Sequence, residues 1–149
     1  YDYLSTHVRA EVREEQNVYD SEPEDIKITW GFSSHIALIE IKWLGKSIEH
    51  LGKENFNQKY NDSRANDGAK QLSDYLDENK QYTPQNLTVG YLVVFDARRW
   101  QTNENTVTIN RANGFYYENR EIAYNPDYHQ SRTDFAKPVR FFLEPYVTI

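Results

Sequence analysis

The chain has no cysteine and no methionine, few glycines and prolines, and no apolar run approaching membrane-spanning length. Without cysteine there is neither a disulfide framework nor a Cys-based zinc site. This suits a reducing compartment, and the absence of a signal-peptide pattern points the same way, to a cytoplasmic protein. The absence of methionine, even at position 1, leads us to expect a domain excised from a longer protein, with other domains of that parent as neighbours. No membrane association is expected. What the chain has in abundance is aromatic area: twelve tyrosines, seven phenylalanines and three tryptophans among 149 residues. These supply buried surface that a modest aliphatic count would not, so a single domain over 1–149 is expected.

The net charge of −6 is unevenly placed. Residues 1–25 hold eight acids against Arg9 and Arg13, and the remaining fifteen acids and fifteen bases balance. Arginines gather late, at Arg98, Arg99, Arg111, Arg120, Arg132 and Arg140. Local charge, rather than the acidic average, therefore decides whether a polyanion is steered to the surface.

Periodicity divides the chain into elements. Leu4, Val8 and Val12 recur at four-residue spacing and predict a helix over 3–16. Strands are expected over 25–30 and 35–44, joined by Gly31-Phe32-Ser33-Ser34. Residues 45–62 read as a short helix plus a loop. A clearer helix spans 64–80, with Ala65, Ala69, Leu72 and Leu76 on one stripe and Ser63 as N-cap. Residues 87–95 are continuously apolar, as in a central strand covered on both faces. Further strands are expected at 106–110 and 139–143. The order helix, strand, strand, helix, strand, strand predicts a mixed α/β architecture.

One segment breaks the apolar rule. In Ile36-Ala37-Leu38-Ile39-Glu40-Ile41-Lys42-Trp43, a carboxylate and an amine sit two residues apart, hence on one face of a strand. Charges enter such a run when they are paired or used. If Gly31–Ser34 is a four-residue hairpin loop, Trp30 pairs with His35, Ile28 with Ala37, Ile26 with Ile39 and Asp25 with Glu40. One face then collects Ile26, Ile28, Ala37, Ile39 and Ile41 as a core, and the other carries Asp25, Glu40 and Lys42. Shifting by one residue mixes the two sets, so the pattern selects this register. Facing carboxylates repel unless a divalent cation lies between them. Hard oxygen ligands from Asp25 and Glu40 suit Mg²⁺, with Mn²⁺ as substitute. Lys42 is placed to stabilise charge developing on a scissile phosphate.

These residues resemble the PD-(D/E)XK nuclease superfamily, the restriction-endonuclease-like fold. Asp25 matches the first acid and Glu40-Ile41-Lys42 the second acid and lysine, with Asp20 and Glu24 as rival first acids because Pro23 does not immediately precede Asp25. Gly68 to Leu76 looks like the following helix, where Gln71 and Tyr75 match a Gln and a Tyr four residues apart. Gly90 to Asp96 looks like the strand after it. The resemblance covers roughly residues 1–99. It implies a mixed central sheet flanked by helices, Asp25, Glu40, Lys42 and Gln71 as catalytic residues, and Asp25, Glu40 and Ile41 as the metal set. It also implies a helix-borne acid near the site, Glu11 or Glu14, DNA as substrate, and a homodimer for cutting both strands. Arg98, Arg99 and Arg132, set among tyrosines, are expected to contact nucleic acid. A silent domain of the same fold, binding nucleic acid or a protein partner, is the alternative.

Overall fold

The structure, a computed structural model, describes residues 10–16, 24–47, 58–85, 87–103 and 105–147. Strands β1 (Glu11–Gln16), β2 (Glu24–Trp30), β3 (His35–Ser47) and β4 (Gln58–Tyr60) come first. Helix α1 (Asp62–Tyr82), strand β5 (Leu87–Asp96), the short helices α2 (Arg111–Gly114) and α3 (Tyr128–Ser131), and strand β6 (Val139–Phe142) follow. The sheet order is β1-β2-β3-β5-β6, with β4 paired to the far end of β3. β1, β2 and β3 run antiparallel to their neighbours, whereas β3, β5 and β6 are parallel. The fold is thus a mixed α/β sheet, with α1 as the crossover between parallel β3 and β5.

The β2–β3 hairpin has the register its apolar pattern requires: Trp30 opposes His35, Ile28 opposes Ala37 and Ile26 opposes Ile39. Ser34 takes a positive φ of 53° to close the turn, and Phe32 at its tip is fully exposed.

Helix α1 starts two residues earlier than its periodicity suggests. Asn61, not Ser63, is the N-cap, its side chain accepting the Ser63 N–H at 3.0 Å. Ala65, Ala69, Leu72 and Leu76 all face the sheet and are buried with Ile36, Leu38, Leu44, Leu92 and Val94. Gly90 on β5 permits this close approach: a Cβ there would lie 2.9 Å from Leu76 and 3.0 Å from Leu72.

Several expectations are corrected. Residues 11–16 are strand β1, not the end of a helix over 3–16, whose first seven residues lie outside the described part. Val12 pairs with Ile28, and Glu11 and Arg13, two apart, form an ion pair at 2.5 Å. Residues two apart share a face on a strand but not on a helix. Residues 45–47 extend β3 and 58–60 form β4, where a short helix and a loop were expected; 48–57 lie outside the described residues. Residues 106–110 are irregular rather than a strand.

The largest correction concerns faces. The principal core lies on the face of β3 that carries Glu40 and Lys42, because α1 packs there. Ile26, Ile28, Ala37 and Ile39 belong to a smaller cluster on the opposite face, with Val12. No described helix covers that second face, and Trp43, Leu87, Tyr91, Val139 and Phe141 are exposed. From Gly90 onward β5 accordingly alternates between buried and partly or fully exposed positions instead of being covered on both sides.

Candidate functional site

Asp25 and the Glu40-Ile41-Lys42 segment meet where β2 and β3 part. Regular pairing between the two strands ends at Ile26–Ile39. Beyond it, Asp25 Oδ2 accepts the Ile41 backbone N–H at 2.6 Å. A side-chain carboxylate thus satisfies a donor that the next rung would otherwise take, a short charge-assisted bond. Asp25 makes no other hydrogen bond among the described residues. Asp25 is thereby fixed against the main chain of the Glu40-Ile41-Lys42 segment.

Glu40 and Lys42 are neighbours on the covered face of β3, 2% and 8% exposed. The Lys42 amine is ion-paired with Glu40 Oε1. The Lys42 stem lies under α1 at Gly68, where a Cβ would come within 2.5 Å of Lys42 Cγ and 2.7 Å of Cε. Glycine inside a helix costs about 1 kcal/mol relative to alanine, so its place here has a packing reason: it admits the lysine. Gln71, one turn further along α1, is half-buried. Glu40 Oε2 and Gln71 Oε1 are buried atoms that accept no hydrogen bond among the described residues, although each residue has other interactions. Tyr75 is part of the main core.

Among the described residues no group of three His, Cys, Asp or Glu side chains converges on a metal position. The donors that the fold offers here are two carboxylates, Asp25 and Glu40, and the main chain of Ile41. These are hard oxygen donors of the kind that Mg²⁺ takes. The rival first acid Asp20 and the side chain of Glu24 lie outside the described residues. Glu11 is exposed on β1 and bound to Arg13; Glu14 pairs through its main chain with Ile26, its side chain lying outside the described part.

The three arginines expected at nucleic acid are each held by the protein. Arg98 binds Asp96 at 2.7 Å and Asp62, the first residue of α1, at 2.5 Å. Arg132 binds Asp77, Asp134 and Ser73. Arg99 donates to the carbonyls of Arg98 and Leu143 and packs over Phe142.

Sequence reasoning missed a buried charge cluster at the end of β5. Asp96 is fully buried and accepts from Arg98 and from Arg140 of β6. Burial alone would raise its pKa, but the hydrogen bonds from Arg98 and Arg140 outweigh it and hold the carboxyl below its ordinary value. Burial likewise works against the Arg98 charge, and Asp96 and Asp62 overcome it. Nearby Tyr124 is pushed up to about 12, chiefly by burial and then by Asp62. The available signal was alternation: Leu92, Val94 and Asp96 share one face, which places an acid in the core.

No described helix is long and apolar enough to cross a membrane. Comparison with protein-family models, curated proteins and solved structures returned no match to the chain.

Proposed function

We propose that the chain is a Mg²⁺-dependent nuclease domain of restriction-endonuclease-like fold, hydrolysing phosphodiester bonds in DNA. The observation that carries this reading is the 2.6 Å bond from the Ile41 N–H to Asp25, which brings the first acid to the Glu40-Ile41-Lys42 segment. Asp25 and Glu40, with the Ile41 main chain, would hold the cation. When bound, it lowers the pKa of a water and offsets negative charge at the phosphate. The Ile41 N–H fixes the orientation of Asp25. Lys42, drawn in by Glu40 and seated under Gly68, supplies a positive charge to the scissile phosphate. Gln71, one turn beyond Gly68 on α1, would support the site.

A second reading, a silent domain of this fold that binds without cutting, is favoured by one observation: Glu40 and Lys42 are paired and almost wholly buried. Cleavage of plasmid and single-stranded DNA in Mg²⁺ and in Mn²⁺, with Lys42→Ala as control, separates the two. Cutting by the native chain that disappears in Lys42→Ala supports the nuclease. Cutting that survives Lys42→Ala removes the lysine from the reaction, and DNA binding without cutting favours the silent domain.

A further inference from the structure

Beyond the end of β5 the chain builds a ladder of flat groups. Trp100 stacks on Tyr116 with ring centroids 4.4 Å apart and planes 16° from parallel. The Arg120 guanidinium lies 3.9 Å from the same Tyr116 centroid, and its Nε donates to the Tyr116 carbonyl at 3.2 Å. Two flat groups so close to one ring cannot share a face of it. Tyr116 is therefore sandwiched, and Trp100 is the last member of the stack. Tyr117 meets both rings edge-to-face, 6.5 Å from Trp100 and 5.0 Å from Tyr116, and is itself covered by Arg98 at 4.4 Å.

Trp100 is fixed from behind. Its backbone N–H donates to the Asn113 carbonyl at 3.0 Å, tying the loop to α2. Gln101, the next residue, takes a positive φ of 50°, a conformation that persists in a non-glycine residue where its surroundings over-determine it. Held in this way, Trp100 still leaves 39% of its surface exposed. Its setting decides what such a ring can take. Gln101, Thr102 and Asn103 follow it, and Arg111 and Arg120 are exposed. That is a polar surround, unlike the apolar centre of the ~800 Å² that each side of a stable protein interface buries. The exposed acids Glu118 and Glu121 flank Arg120 in sequence, so the surface does not draw a polyanion by charge. Stacking is the contact it offers, and every nucleobase has a face that can accept it.

From this we infer that Trp100, backed by Tyr116 and Arg120, is a stacking platform for an unpaired base of a nucleic-acid strand. Resting on the nuclease reading, the platform holds a base of the strand whose scissile bond lies at Glu40 and Lys42. Val94, the β5 partner of Lys42, stands six residues before Trp100. At ~3.5 Å per residue and one strand spacing of ~4.8 Å, Trp100 is within roughly 26 Å of Lys42. One short bound strand can therefore span both places.

The test is binding of two labelled single strands to the full chain in EDTA, one carrying its bases and one an abasic phosphodiester of equal length. The native chain should prefer the strand with bases. Trp100→Ala should weaken binding of that strand about five- to 150-fold, the loss of one base–aromatic stack, and leave abasic binding unchanged. The slope of log K against log salt should stay as in the native chain, because no phosphate contact is removed. Trp100→Phe, which keeps a flat ring, should recover most of the loss. Equal losses for both strands would show that the indole only supports its loop, and would overturn the inference. No loss with either strand overturns it as well and leaves the ring to a protein partner, as does a native chain that does not distinguish the two strands. Cleavage assays keep the two readings apart. A base-dependent loss in Trp100→Ala, together with cleavage that ignores Lys42→Ala, leaves the platform standing and defeats the nuclease site. The reverse pair of results does the opposite.

Discussion

Gly68 on α1 sits directly against the side chain of Lys42 on β3, so closely that a Cβ there would lie 2.5 Å from Lys42 Cγ. The Lys42 side chain and the helix cannot both keep their positions if that space is filled. Gly68→Ala gains up to about 1 kcal/mol of helix propensity and meets about 1–3 kcal/mol of overpacking. Net stability should thus fall by between about 0 and 3 kcal/mol, as read from urea midpoints. On the proposed nuclease reading, DNA cleavage should drop at least tenfold, because Lys42 is displaced. Full activity in Gly68→Ala would mean that the lysine does not act from the position described.

Asp96 makes a second prediction. It is fully buried between Arg98 and Arg140 and links the end of β5 to β6 and, through Arg98, to Asp62 of α1. Asp96→Asn leaves two guanidiniums facing an uncharged amide. Removing one partner of a buried ionic group costs about 3–5 kcal/mol, so chemical denaturation should show a loss of that order. A loss under about 1 kcal/mol would show that Arg98 and Arg140 find other partners.

The same carboxyl sets an acid limit. Its folded pKa lies below the ordinary 3.8, since the Arg98 and Arg140 hydrogen bonds outweigh burial. Asp134 is lowered too, first by its hydrogen bond to Arg132. Groups with depressed pKa values stabilise the fold fully above the unfolded value and lose that contribution as pH falls through the folded one. Thermal midpoints should therefore be insensitive to these two acids near neutrality and drop below about pH 4. In Asp96→Asn that acid-side drop should be shallower than in the native chain.

How much of this was legible before the fold is instructive at particular residues. The hairpin register was readable because Ile26 and Ile28 can face Ile39 and Ala37 in only one alignment without mixing charges into the apolar set. The α1 stripe was readable for the same reason, since Ala65, Ala69, Leu72 and Leu76 leave one burial direction. Alternation does not say which face of a sheet a helix will cover. Glu40 and Lys42 therefore looked like an open polar face, while α1 in fact packs over them. β1 was hidden because Val12 fits a four-residue repeat equally well; its pairing with Ile28 decides the matter. Asp96 was hidden because one of its partners, Arg140, lies 44 positions away in sequence.

On the proposed reading, Asp25 and Glu40 jointly hold a divalent cation beside Lys42. Calorimetric titration of the native chain with Mn²⁺ tests it most directly, repeated on Asp25→Asn, Glu40→Gln and Lys42→Ala. Glu40→Gln is preferred to Glu40→Ala because it keeps the volume beside the buried Lys42 amine. The native chain and Lys42→Ala should bind Mn²⁺ saturably, and each acid variant should lose at least tenfold in affinity. Native-like Mn²⁺ affinity in both Asp25→Asn and Glu40→Gln would contradict that reading.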